Sequence, residues 1–533
     1  MKYNHIAFNK TGYFSSLICD YLDEKTQLNP FFNRFPKLEN FKAQIKQKAV
    51  SFSLENRNTL VSVLKKQYQN KESSQLTNQH IESLSLENTF TITTGHQLNL
   101  FTGPLYFLYK IVATINLSNE LKTQYPDNNF VPIYWMATED HDFDEINYFN
   151  FKGKKFQWSK DVSGAVGDLS NDGLDAILEM FSQDLGNSTN AKNLKQLFKK
   201  AYLDHDNLSD ATRFLANELF KDYGLVIIDA NERQLKRLFI PHVETELLNQ
   251  TSFDAVSEMN VKLSHISEDY KIQVNPREIN LFYLDRGLRE RIVFEDDTYK
   301  VLNTNISWSK SEILKEVSDF PERFSPNVIM RPLYQEVILP NLCYIGGGGE
   351  LAYWMQLKDY FDEAEVTFPI LLLRNSALIQ TEKQAKKLKK LDISIEDVFL
   401  KRDVLINKKV REISNIDIDF STQRNHLKQQ FENLFNLAKK TDNSFFGAVK
   451  AQEVKQLKGL DNLEKRLLKA QKRRLSDEVE RMADIQNELF PNGNLQERNT
   501  NFSEFYLEFG EQLIPILIKN LKPLKNEFSI LTV

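Results

Sequence analysis

The run FVPIYWMA, Phe130 to Ala137, is almost unbroken apolar sequence and is followed at once by TEDHDFDE. Successive side chains of a strand point to opposite faces, so a strand of this kind needs cover on both sides. That cover is the mark of a parallel sheet held between helices. Upstream, TFTIT from Thr89 has β-branched character, and Leu105, Leu108, Val112 and Ile115 mark one face of a helix. The helix is expected to open at Gly103-Pro104, with proline in its first turn, and to end near Lys122 ahead of YPDNN. Strand, helix and strand make a βαβ unit with a right-handed crossover. Three more strands are predicted: GLVIIDA (Gly224 to Ala230), LCYIGGGG (Leu342 to Gly349) and PILLLRNS (Pro369 to Ser376). The fold class expected is α/β, with a Rossmann-like open parallel sheet as its core.

Residues 1–88 read as a helical lead-in, so the core with its insertions spans 1–375. Two connective insertions, at about 145–205 and 240–325, contain NYFNFKGKKFQWSKDVSG and INLFYLDRGLRERIVF. Their alternation and glycine turns predict β-rich pieces. Beyond Ser376 the composition turns to Lys, Glu, Gln and Leu, with no proline until Pro491. An apolar stripe through Val454, Leu457, Leu460, Leu463, Leu467 and Ala470 slips, then resumes at Leu475, Val479, Met482, Ile485 and Leu489. One helix from Ala448 to Phe490, roughly 60 Å long, is expected, paired as an antiparallel coiled coil with a helix around Gln423 to Lys440. The basic run LLKAQKRRL within it reads as a solvated face. Residues 376–490 thus form a helical coiled-coil domain, and 491–533 return to the core.

Bulk properties narrow the function. With 68 basic against 73 acidic residues the chain has a formal net charge of -5, which speaks against coating nucleic acid or anionic lipid. Its longest apolar runs, such as PILLL, fall far short of the about 20 residues that span a bilayer. Charges interrupt what would be the apolar region of a signal peptide. Cys19 and Cys343 are the two cysteines, too few for a disulfide framework or a four-thiolate metal site. Cys343, inside an apolar strand, reads as an inert thiol. A cytoplasmic protein acting on small molecules, with no nucleic-acid or membrane partner, is expected.

Ligands of open parallel sheets bind beyond the carboxyl ends of the strands. The polar clusters of this chain all fall there. After the first strand, TTGHQLNLFTGP offers Thr94, Gly95, His96, Gln97, Asn99, Thr102 and Gly103, a set suited to close backbone approach and anion binding at a helix start. It matches neither G-x-x-x-x-G-K-[ST] nor G-x-G-x-x-G. The second strand is followed by Glu139, Asp140, His141 and Asp142, which carry acid–base and metal-binding capacity. After LCYI come Gly346, Gly347, Gly348 and Gly349 ahead of Glu350, a backbone cradle for a phosphate or an adenylate. Arg331, Arg374 and the neighbouring Asn375 add cationic and amide contacts for carboxylate or phosphate. The residues alone also fit two other readings. One is a metal-assisted hydrolase or deacetylase using His96, Glu139, Asp140 and His141. The other is a non-catalytic scaffold whose working part is the coiled coil.

Taken together, TTGHQLNLFTGPLYFLYKI, VPIYWMATEDHDFDEIN, MRPLYQEVILPNLCYIGGGGELAYWMQL and PNGNLQER resemble, in order and spacing, the BshC family of bacillithiol-biosynthesis cysteine-adding enzymes. The resemblance runs over essentially the whole chain. It implies a ligase joining the carboxyl group of L-cysteine to the amine of glucosaminyl malate, on a core related to the nucleotidyltransferase domain of class I aminoacyl-tRNA synthetases. It also implies a coiled coil that makes a homodimer. Activation of a free carboxylate calls for a nucleotide, so ATP, with ADP or an adenylate-like ligand, is the expected cofactor and no metal is assigned. On this reading His141, with Asp140, Asp142 and Glu139, serves the attacking amine, while the Gly95–Pro104 and Gly346–Gly349 loops hold the nucleotide. Gln496 and Arg498 are expected to contribute to a second pocket.

Overall fold

The computed structural model describes residues 2–533. Its central sheet has five parallel strands: β1 (Thr89–His96), β2 (Asn129–Met136), β3 (Val226–Asp229), β4 (Asn341–Gly346) and β5 (Ile370–Leu373). They run in the order β5-β4-β1-β2-β3. β1 and β2 pair along their full length, from Thr89 opposite Asn129 to His96 opposite Met136. Every residue of β1 and almost all of β2 is buried, as the two-faced apolar pattern requires. Helix α1 (Tyr106–Gln124) makes the crossover between them. From β1 the chain steps outward through β2 to β3, then returns to build β4 and β5 on the other side. The gap between β1 and β4 is therefore the topological switch point, where crossovers diverge and a crevice opens.

The helix after β1 begins two residues later than proline placement suggests. Phe101, Thr102 and Gly103 take φ values of 49°, 67° and 59° in succession, so the chain is still turning when it reaches Pro104. Left-handed backbone costs about 1–3 kcal/mol at a non-glycine residue. Here Asn501, far along the chain, compensates: its Nδ2 donates to the carbonyls of Phe101 and Gly103, both at 2.7 Å.

Between β2 and β3 lie a hairpin, Tyr148–Phe151 with Lys154–Gln157, and four α-helices; between β3 and β4 lie helices and an antiparallel five-stranded sheet that contains Leu281–Asp285 and Leu288–Glu295. The strand expected over Pro369–Ser376 ends at Leu373. Ala377–Gln380 then joins a separate three-stranded sheet, parallel to Phe528–Thr532, which in turn pairs antiparallel with Lys2–Ile6. Both chain ends thus meet beside the core. Short terminal runs give little local signal, because their partners are hundreds of positions away.

Helices α2 (Met330–Ile338) and α3 (Gly348–Met355) flank β4. The expected single long helix is two, α5 (Asn443–Arg474) and α6 (Ser476–Leu489), parted at Leu475 where the apolar stripe slips. α4 (Ser421–Ala438) folds back on α5: Phe435 and Phe446 lie 5.2 Å apart near the turn, and Arg424 bonds Asp461 at 2.9 Å further along. Val454 and Leu463 on α5 stay 58% and 54% exposed, so α4 leaves part of the stripe uncovered. Among the described residues no helix is long and apolar enough to cross a membrane.

Candidate active site

The carboxyl ends of β1, β2, β4 and β5 open on a cavity of about 820 Å³. Residues singled out from the sequence form part of its wall. Gly95, His96, Gln97, Asn99 and Gly103 line it from the first loop, Glu139 and Asp140 from the second, and Gly347, Gly348, Gly349 and Glu350 from the third. Arg331, Arg374 and Arg498 complete the set. The geometry leaves other candidates outside the wall. Thr94 Oγ1 donates to the Ile345 carbonyl within the sheet, at 2.8 Å. Thr102 is buried in the strained turn, Gly346 is the last residue of β4, and the Asn375 amide donates to the Lys522 carbonyl. Gln496 exchanges two bonds with the backbone of Ile379, so it anchors an edge strand, while Arg498 lines the main cavity.

His141 and Asp142 are exposed and do not line the cavity. The His141 Nδ1 accepts from Arg289 Nη1 at 2.5 Å and lies 3.6 Å from Asp140 Oδ1. Because the loop after β2 turns at Asp140, His141 and Asp142 face solvent. Among the described residues, no group of three or more His, Cys, Asp or Glu side chains could hold a metal ion. His96, Glu139, Asp140 and His141, the four residues of the hydrolase reading, make no such group, and the His96 ring is packed against Tyr106 and Phe107.

The cavity has two electrostatic halves. One, at the ends of β1, β4 and β5, is rich in cations. Lys110 on α1, 3% exposed, donates to the Gly95 carbonyl at 2.7 Å and pairs with Glu350 at 2.7 Å. Glu350 also accepts from Tyr344 Oη and from the Gly347 amide, at 2.7 and 2.8 Å. Burial pushes the Glu350 carboxyl up, but Lys110 and these donors hold it below its ordinary value. Arg374 is ion-paired at 2.8 Å with the fully buried Glu497 and lies over the Tyr106 ring, leaving its Nε without a partner. Burial, helped by Lys110 and Arg374, lowers the His96 pKa well below the usual imidazole value, so the ring is neutral. Its Nε2 also lacks a partner, as does Asn99 Oδ1.

The other half, at the end of β2, is acidic. Gln97 Nε2 donates to both Asp140 Oδ2 and Glu145 Oε2 at 2.9 Å, and Glu139 is paired with the buried Lys236. Lys110, Lys236, Arg289 and Glu497 were absent from the sequence-derived set. Lys110 had a signal: it is the lone charge in the apolar run PLYFLYKIVA, where a lysine needs a buried partner. Glu497 had none, since its partner lies in another part of the chain.

Two family descriptions match the chain: "Bacillithiol biosynthesis BshC, N-terminal Rossmann-like domain" over residues 1–375 and "Bacillithiol biosynthesis BshC, C-terminal coiled-coil domain" over 377–533. Among similar proteins, one from Flavobacterium johnsoniae is 62% identical over 99% of both chains. One from Christiangramia forsetii is 60% identical over 100% of this chain and 99% of its own. A more distant one, from Cytophaga hutchinsonii, is 37% identical over 97% and 96%. Each is named "Putative cysteine ligase BshC".

Proposed function

This chain belongs to the BshC family of bacillithiol biosynthesis, and on that premise we propose that it is a nucleotide-dependent cysteine ligase, joining L-cysteine through its carboxyl group to the amine of glucosaminyl malate. The observation that carries the reading is the division of one switch-point cavity into a cationic and an acidic half. Phosphate and carboxylate groups suit the first and an amine suits the second. Such a cavity is unneeded in a scaffold.

ATP would supply the activation that a free carboxylate lacks at neutral pH. The wall fits a nucleotide: Gly347 to Gly349 present bare backbone at the start of α3, and His96 Nε2, Asn99 Oδ1 and Arg374 Nε are buried polar atoms with no protein partner. The Gly95–Gly103 loop and the glycine turn would grip it from two sides. In the acidic half the amine must lose a proton before it attacks. Asp140, fixed by Gln97 and by the His141 amide at 2.8 Å, faces the cavity and takes that proton or holds the ammonium. His141 then supports Asp140 from outside. Positioning and charge complementarity supply most of the rate. The exposed apolar stripe of α5 supports a homodimer built through the coiled coil.

Incubating the purified protein with cysteine, glucosaminyl malate and ATP, and following the amide by mass spectrometry, tests the reaction. AMP with pyrophosphate, or ADP with phosphate, identifies the mode of activation. In cells lacking the protein, glucosaminyl malate accumulates and bacillithiol is lost; unchanged thiols would sink the proposal.

A further inference from the structure

Of the cations that line the cavity, Lys110 is neutralised by Glu350 and Arg374 by Glu497, Arg289 Nη1 donates to His141 Nδ1, and Arg498 is exposed. Arg331 differs. It is half-buried, and among the described residues no carboxylate is ion-paired with it. Its guanidinium carbon sits 5.8 Å from the Trp135 ring centroid and 5.7 Å from that of Tyr344, and Nη2 donates to Tyr353 Oη at 3.4 Å. Gly95 borders it: a Cβ there would lie 3.9 Å from Arg331 Nη1 and 3.4 Å from Tyr344 Oη, distances a methyl group tolerates. Gly95 has no positive φ either, so the backbone does not demand glycine. Its missing side chain leaves room beside the guanidinium.

Behind Arg331 runs a buried polar chain. Gln335 Nε2 donates to Glu336 Oε1 at 3.0 Å, which fixes the amide so that its Oε1 accepts from Arg331 Nη1 at 3.1 Å. Glu336 also accepts from Asn341 Nδ2 at 2.6 Å and pairs with Lys48 Nζ at 3.3 Å. Gln335, Glu336 and Lys48 are all within 2% of complete burial. The neutral Gln335 therefore aims the guanidinium without cancelling its charge.

We infer that Gln335 is a positioning residue that holds Arg331 as the seat of a substrate oxyanion, a carboxylate of the acceptor or a phosphate of the nucleotide. The identity of that oxyanion rests on the ligase reading; the seat itself does not.

Calorimetric titration of the full-length protein with malate and, separately, with inorganic phosphate tests this. The wild type binds one of the two, which distinguishes an acceptor carboxylate from a nucleotide phosphate. Arg331→Met abolishes that binding. Gln335→Glu places a competing carboxylate on the guanidinium and weakens it about 10- to 100-fold, the reach of a charge-assisted hydrogen bond. Gln335→Met, apolar and similar in size, weakens it less and serves if the Glu variant does not fold. In steady state, KM rises for the matching substrate alone. Wild type that binds neither anion, Gln335 variants that bind as wild type does, or KM values that all rise together would overturn the inference. If the ligase reading fails, no amide forms while the malate or phosphate titrations stand.

Discussion

Lys110 Nζ lies 2.7 Å from Glu350 Oε2 and 2.7 Å from the Gly95 carbonyl, so one buried ammonium on α1 ties the end of β1 to the start of α3 across the switch point. Removing one partner of a buried pair leaves the other charge uncompensated. Lys110→Met should lower unfolding free energy by about 3 kcal/mol, measured in denaturant, and weaken nucleotide binding through the displaced glycine turn.

The same pair sets part of the acid limb of stability. The Glu350 carboxyl is held below its ordinary value, so its contribution is present above about pH 4.3 and is lost as the pH falls through the lower folded value. Melting temperatures of Glu350→Gln between pH 6 and 3 should fall less steeply than those of wild type; parallel curves would refute the linkage.

Burial keeps the His96 ring neutral to a lower pH than an ordinary imidazole. Its folded pKa is depressed, so its contribution to stability is full above about pH 6.5 and declines as the pH falls from there. The His96 ring resonances should not move between pH 8 and 6.

Arg374 and Glu497 join the residues of the two matched family regions through a fully buried pair, and Glu497 also accepts from the Ala377 amide at 3.0 Å. Arg374→Met should cost about 3–5 kcal/mol. Arg374→Met with Glu497→Gln should recover a good part of that, read as coupling in a double-mutant cycle.

At Gly103 the backbone takes φ 59° and ψ -131°, and a Cβ would meet the Asn99 Cβ at 2.7 Å. Gly103→Ala should therefore destabilise by about 1–3 kcal/mol and weaken nucleotide binding, because Asn99 must move out of the wall.

The proposed coiled-coil homodimer predicts that Val454→Glu with Leu463→Glu on α5 gives a monomer in sedimentation. Unchanged mass would remove the coiled coil as the contact.

What the sequence determined by itself was everything written in local pattern: the two-faced burial of β2, the βαβ unit, the polar clusters at strand ends and the long helices of the coiled coil. Periodicity reports burial, and burial of consecutive side chains is a local property. Tertiary structure alone decided which of those polar residues share a cavity. The turn at Asp140 put it in the wall and His141 outside, and Asn501 made three positive φ values affordable at Phe101 to Gly103. Likewise Lys110, Arg374 and Arg331 look alike as isolated cations. Two of them are neutralised by carboxylates remote in sequence and the third is held by the neutral Gln335 amide, because charge pairing depends on distance in space and not along the chain.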